Sequence, residues 1–470
     1  MNTNKLTKIV ATISDRNCTE DFIRSLYEAG MNVVRINTAH QTPEASAAVV
    51  KIVRAVAQDI AILIDTKGPE VRVKKLPAPL ELKEGEVVTI PKVDDMRKGF
   101  DVSYDGFVTE VPVGSRILID DGAMELMVKN VAPGMLLCEV MNDGTINDRK
   151  NVNVPNVPLK VPALSSKDRD YLKFVADNDI DFVAHSFVRH KEDVLEVRRI
   201  LENHGSKARI IAKIENSQGV TNIPEILDYA DGAMVARGDL GVEIPFERLP
   251  GVQKFIISSC IKRGKPVITA TQLLHTMIEN PRPTRAEVSD VANAVFDGTD
   301  ALMLSGETAS GKYPLEAVET MARIARQAES QKPRLEKVES EASYNQVRLY
   351  LARGAAMSAL RLPVKAIIAD TESGSIARVL SSYRSHVPVY AFSPLLSTVR
   401  ALALSYGVYS ELAPEHHNAD SIVSDSLATL VDRGMIDEED LVVVIGGTAG
   451  KSNSTNFMQM NSAGSCLRRN

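Results

Sequence analysis

Lys213 and Glu215 stand two residues apart in the apolar run IIAKIE at 210–215. In an extended strand, alternation sends both side chains to one face and Ile214 to the other. A buried ion pair is the plainer account of these two residues alone. A second carboxylate, Asp239, follows the neighbouring run GAMVAR at 232–237 and weakens that account. Two acids around one cavity suit a hard divalent ion, which takes oxygen ligands and keeps places for substrate oxygens and water. Other polar residues close similar runs: Arg35 and Asn37, Asp65 and Thr66, Arg237 and Gly238, and Thr271. Two carboxylates and two or more cations at one mouth point to metal-assisted chemistry on an anionic substrate, with charge stabilisation as the main contribution.

These residues need a scaffold that brings strand ends together. Eight short, nearly continuous apolar runs occur, at 8–13, 32–37, 60–65, 182–187, 210–215, 232–237, 266–271 and 301–306. Such runs fit strands buried on both faces, as in a parallel sheet. Helix-like stretches separate them, among them 20–29 and 166–177, the second with Ser166 as its expected cap. Eight strand–helix units close a (β/α)₈ TIM barrel, whose reactive groups come from the C-terminal ends of the strands. The third unit is interrupted. From 69 to 162 the texture changes to short alternating segments with Gly and Asp turns, at 79–91, 116–122 and 136–144, which predicts an inserted small β-barrel domain. From 333 the chain starts again: a helix over 342–361, strands at 366–370, 388–392 and 441–447, and the loop TESGS at 371–375 predict a C-terminal open α/β domain. The expected division is 1–68 with 163–332, then 69–162, then 333–470.

The chain has 470 residues, 44% hydrophobic and 25% charged, with a formal charge of −6. That balance argues against non-specific nucleic-acid binding. Cys18, Cys138, Cys260 and Cys466 form no close pair, so neither a disulfide framework nor a zinc site is expected. The N-terminus lacks an apolar signal core and no window suits a membrane span, so a complete, cytoplasmic protein is expected. GGTAGKS at 446–452 has the wrong spacing for a P-loop, because Ile445 stands where the first glycine is required. His416 and His417 read as solvated.

The segments NVVRINTAH, DTKGPEVR, AKIENSQGV, MVARGDLGVEIP and the run from Ala270 to Pro314 resemble the pyruvate kinases. The resemblance extends through the insertion, with LIDDG at 118–122 and GTINDRKNVNVP at 144–155, and more loosely into the last domain. It implies transfer of a phosphoryl group from phosphoenolpyruvate to ADP, giving pyruvate and ATP, in the final step of glycolysis. It implies Arg35 and Lys213 at the phosphoryl group, and Glu215 and Asp239 as ligands of Mg²⁺ or Mn²⁺. The substrate carboxylate would rest on Gly238, Asp239 and Thr271, and Thr271 would sit near the site of enolate protonation. Arg72 and Lys150, with Asn37 and His40, fall on the nucleotide side. The resemblance also implies a lid that closes, a homotetramer and an allosteric effector.

Departures qualify these implications. The family's K⁺ site falls on Asn37, Ala39, Asp65 and Thr66, and Ala39 replaces the usual serine, removing one oxygen. Glu70 matches the residue that accompanies potassium dependence, so a weakened K⁺ requirement is expected. Thr38 replaces a phenylalanine, TISDRN at 12–17 replaces T-I-G-P, and Asn151 and Asn156 replace glycines. In the effector loop, Glu372 would set a carboxylate against a phosphate. Fructose-1,6-bisphosphate is therefore disfavoured, and another sugar phosphate, a nucleotide or no effector stays open.

Overall fold

The computed structural model describes residues 5–92, 98–332, 345–415, 418–447 and 455–467. His416–His417 and most of the 446–452 motif lie outside the described residues. Eight parallel strands close a barrel: Lys8–Thr12, Val33–Asn37, Ala61–Asp65, Phe182–His185, Arg209–Ile214, Gly232–Ala236, Val267–Ala270 and Ala301–Leu304. Each falls within or beside its apolar run, because strands covered on both faces have no polar side to present. One set of side chains fills the barrel interior, including Val10, Leu63, Phe182, Met234 and Met303. The alternate set, including Ile64, Val183 and Ile214, packs outward against the helices.

Several strands end earlier than the runs predict. Arg237, Gly238 and Asp239 are not a strand end; they open the short helix Arg237–Glu243. Phe187 and Thr271 have φ of 55° and 69°, which turns the chain off the sheet. The helix after the insertion runs Ser166–Asp177, but its cap is Ser165, which accepts from Asp168 N while Asp168 caps back. That reciprocal box satisfies two otherwise orphaned N–H groups, which Ser166 is not placed to do.

Between the third and fourth barrel strands lies a five-stranded antiparallel sheet, with strands in the spatial order Val152–Asn153, Arg116–Ile119, Met124–Ala132, Met135–Val140 and Val87–Ile90. Two further strand pairs share its core of Val88, Ile117, Leu126, Leu136 and their neighbours. The C-terminal part carries Gln346–Arg361 as its first described helix; the expected start at 342 lies outside the described residues. Its sheet is not purely parallel. Strands Val364–Asp370, Val389–Ser393, Val408–Leu412 and Leu441–Gly446 run parallel, and Phe457–Ser462 adds an antiparallel edge.

This part is keyed into the base of the barrel. Leu404 joins the cluster that fills the barrel interior. Lys8, on the first barrel strand, donates to Val408 O and lies over the Tyr409 ring, 4.1 Å from its centroid. Arg384 pairs with Asp300 through both carboxylate oxygens, at 3.1 and 2.6 Å, and also donates to Gly298 O. Both side chains of the pair are almost wholly enclosed, at 2% and 3% exposure. A buried charge stripped of its partner is costly, at roughly 3–5 kcal/mol. Arg384→Met is therefore expected to lower the urea midpoint for unfolding strongly. Adding Asp300→Asn should recover part of the loss, and a single variant as stable as the parent would refute the assignment.

Candidate active site

The fifth barrel strand carries Lys213 to the barrel mouth, where its ammonium meets three oxygens. Asp65 Oδ1 and Glu215 Oε1 lie at 3.0 Å each, and Lys213 donates to Ser186 Oγ at 2.7 Å. Asp65 in turn accepts from Arg35 Nε at 2.7 Å, and Arg35 Nη1 donates to Thr12 Oγ1 at 2.9 Å. Strand ends from five places in the barrel thus converge: Thr12, Arg35, Asp65, Ser186 and Lys213. Asp65 and Glu215 are buried to 1% exposure, and the Lys213 side chain is 11% exposed.

The electrostatics follow from that burial. Desolvation alone would make Lys213 lose its proton easily, but Asp65 and then Glu215 overturn this and hold its pKa above that of an ordinary lysine. Desolvation opposes ionisation of Asp65 as well, yet Lys213 and Arg35 together keep its carboxyl below the usual range. Glu215 is different. Burial pushes it up to about 7 against the pull of Lys213, and Asp239 adds to the push. Asp239 is also raised, first by burial, with Glu70 and Asp121 contributing. The Asp239 and Glu215 carboxyls lie close enough for the charge of one to oppose ionisation of the other. Two acids forced into one another's company and reluctant to ionise together form a site short of positive charge. A divalent cation satisfies that deficit, so the residues present fit Mg²⁺ or Mn²⁺. Among the described residues no group of three or more His, Cys, Asp or Glu side chains gathers as a metal cage. Two carboxylates suit an ion that keeps substrate oxygens in its shell.

Gly238 and Asp239 sit in the first turn of the helix Arg237–Glu243. Thr271 Oγ1 accepts from Gly238 N at 2.8 Å and donates to Ala270 O at 2.6 Å, which ties this helix to the seventh strand. A β-branched residue at φ of 69° is strained, and the surroundings hold it there. Arg237 supplies much of that hold: it donates to Ala270 O and Thr271 O and pairs with Asp290 at 2.7 Å.

Ser186 is a site residue that the spacing argument missed. Its Oγ donates to Thr66 O at 2.7 Å, leaving lone pairs for Lys213, and its N–H donates to Thr66 Oγ1 at 3.0 Å. The available signal was its place one residue past the fourth strand, where a serine has no packing role.

The nucleotide-side candidates are spread more widely. Arg72 donates to Glu70 Oε2 and to Arg149 O, and Lys150 pairs with Asp120 at 2.9 Å. These contacts lie on the insertion, next to Glu70 and Asn151, which with Asn153, Asp239 and Glu243 line a crevice. His40 is exposed in the turn after the second strand. At the expected K⁺ position, Asn37 Oδ1 accepts from Ala39 N and Thr66 Oγ1 from Ser186 N, while both Asp65 oxygens face cations. Position 39 offers only a methyl group, so the donor set fits K⁺ less well than the carboxylate pair fits Mg²⁺.

In the last domain, Thr371 Oγ1 accepts from Gly374 N at 3.0 Å and Ser373 Oγ donates to Ser375 Oγ at 3.1 Å. The Thr371 hydroxyl is thus engaged with the backbone and the two serine hydroxyls with each other, and Glu372 is exposed.

Comparison with known proteins covers both parts of the chain. The family description "Pyruvate kinase, barrel domain" matches residues 4–318, and "Pyruvate kinase, alpha/beta domain" matches 350–460. A curated relative named pyruvate kinase from Borreliella burgdorferi is 45% identical, over 99% of this chain and 99% of its own. One of the same name from Staphylococcus aureus is 43% identical, over 97% of this chain and 80% of its own. With a barrel mouth built around Lys213, Glu215 and Asp239, and with this likeness along nearly its whole length, the chain belongs to the pyruvate kinase family.

Proposed function

We propose that this chain transfers the phosphoryl group of phosphoenolpyruvate to ADP, yielding pyruvate and ATP, as the last step of glycolysis. The observation that carries this reading is the Lys213 ammonium fixed by Asp65, Glu215 and Ser186, with Asp239 as a second acid near Glu215.

Phosphoryl transfer asks little covalent work of a protein; positioning and charge stabilisation carry it. Arg35 and Lys213 hold the phosphoryl oxygens, and Lys213 keeps its proton because two acids flank it. The N–H groups of the first turn of Arg237–Glu243 and the Thr271 hydroxyl receive the substrate carboxylate. A β-phosphate oxygen of ADP attacks phosphorus as the bond to the enol oxygen breaks. The enolate then takes a proton at carbon on the Thr271 side, through water, and becomes the ketone, which draws the transfer forward. Mg²⁺ or Mn²⁺ held by Glu215 and Asp239 would supply Lewis-acid neutralisation of carboxylate and phosphoryl oxygens. Arg72 and Lys150 approach the nucleotide phosphates from the insertion, which closes as a lid and excludes water. Asn37 and His40 complete the nucleotide side.

Residues 1–68 and 163–332 form the catalytic barrel in this reading, 69–162 the lid and 333–470 an effector and oligomerisation domain. Likeness to the family supports a homotetramer in the cytoplasm. No described helix is long and apolar enough to cross a membrane. K⁺ binds at Asn37, Asp65 and Thr66 with affinity weakened by Ala39. Glu372 disfavours fructose-1,6-bisphosphate in the loop of the last domain, which leaves another sugar phosphate, a nucleotide or no effector.

A coupled assay of pyruvate formation tests the reading, and no turnover of phosphoenolpyruvate with ADP and Mg²⁺ would overturn it. Lys213→Met is expected to lower kcat by about 10²–10³-fold, the usual cost of losing a charge-stabilising donor. Ala39→Ser is expected to lower the half-saturating K⁺ concentration several-fold, and full activity of the parent without any K⁺ would refute that site. Adding fructose-1,6-bisphosphate at low phosphoenolpyruvate should leave the rate unchanged; activation would restore the sugar bisphosphate as effector.

A further inference from the structure

The helix Arg237–Glu243 carries the site at one end and an unassigned carboxylate at the other. Glu243, its last residue, is partly buried, and its Oε1 accepts from Asn153 Nδ2 at 2.9 Å. Asn153 belongs to the insertion, on the strand Val152–Asn153 that pairs with Arg116–Ile119. The two residues lie 90 positions apart in sequence, and this is the only side-chain hydrogen bond found between the insertion and that helix among the described residues.

The Asn153 amide is oriented from behind. Its Oδ1 accepts from Asn151 Nδ2 at 3.3 Å, which leaves the Asn153 NH₂ group aimed at Glu243. Residues two apart in extended chain share a face, so Asn151 is placed to do this. Asn151 is itself clamped: its Nδ2 donates to Asp121 Oδ1 at 2.6 Å, and its Oδ1 accepts from Asp121 N at 3.2 Å. A polar chain therefore runs from the Asp120–Asp121 turn through Asn151 and Asn153 to Glu243. Its Asn151, Asn153 and Glu243, together with Asp239, line the crevice between insertion and barrel.

A carboxylate enclosed by a movable neighbour needs a donor from that neighbour, because burial without a partner is costly. Swinging the insertion away would return Glu243 to water and break the chain at its one inter-domain link.

We propose that Asn151, Asn153 and Glu243 form a latch that holds the insertion closed over the barrel and ties closure to the helix presenting Gly238 and Asp239. These are positioning residues, since none touches the reacting atoms. The assignment rests on the phosphoryl-transfer reading for its kinetic consequence but not for its structural one.

The test combines hydrogen–deuterium exchange over residues 144–157 with ADP saturation at fixed phosphoenolpyruvate and Mg²⁺. Asn153→Ala and Asn153→Asp are expected to raise exchange in this segment and the half-saturating ADP concentration by about tenfold, with a smaller change in kcat. Asn153→Asp keeps the side chain's size and places one carboxylate against another, so it remains informative if the alanine variant folds poorly. Asn151→Gly should give an intermediate effect, because it frees the amide without deleting it. Glu243→Gln retains an acceptor oxygen and should stay within about twofold of the parent, whereas Glu243→Ala should match Asn153→Ala. Parental exchange and parental ADP affinity in Asn153→Asp would overturn the latch. If the parent enzyme makes no pyruvate, the functional reading fails and the exchange comparison still decides the latch.

Discussion

One buried ammonium group organises the barrel mouth. Lys213 has shed most of its water and recovers the loss from Asp65, Glu215 and Ser186, each on a different strand end. Asp65 and Glu215 need Lys213 as much as it needs them, since neither could remain ionised at 1% exposure without a partner. The fourth, third and fifth strands must therefore end in register within a few tenths of an ångström. The Ser186–Thr66 clasp, made in both directions, is what holds two of them there. Glu215 receives less charge than it needs from one lysine, and this remaining imbalance is what makes the pair with Asp239 receptive to a cation.

The same constraint explains where the chain tolerates change. Asn156, which stands where the family usually has glycine, adopts φ of 65°. Asparagine is among the few side chains that enter the left-handed region readily, so the turn survives. Asn151, another replacement of glycine, finds partners in Asp121 and Asn153. Ala39 removes an oxygen but disturbs none of the contacts among Arg35, Asp65 and Lys213. None of the departures replaces Arg35, Lys213, Glu215, Asp239 or Thr271.

Much of the barrel was legible because a strand covered on both faces must be apolar throughout, and such runs stand out. Strand ends were less so. The last residues of the runs at 182–187 and 266–271 leave the sheet through positive φ, which pattern does not encode. Arg237–Asp239 look like the tail of a strand but begin a helix, since Ala236 closes the sheet pairing. The long insertion strand Met124–Ala132 was overlooked because its apolar period is broken after Val128, where three exposed residues follow. The edge strand Phe457–Ser462 was missed for the same reason: its polar alternation resembles a loop. Lys213, Glu215 and Asp239 could be found from type and spacing. The hold of Arg237 on Thr271, the Ser186–Lys213 contact and the Asn153–Glu243 link could not, because they come from partners distant in sequence.

Leu404 gives the architecture a further property. It belongs to the C-terminal part, yet it is fully buried among the side chains that fill the inside of the barrel. A barrel that borrows a plug from the C-terminal part is not a free-standing module. Recombination that exchanged the terminal domain for an unrelated one would leave a hole beneath Val10 and Met303, so inheritance of the two halves together is favoured by packing alone. Exposed loops of the C-terminal part can drift in sequence, but the surface that seals the barrel is held by the barrel's own packing.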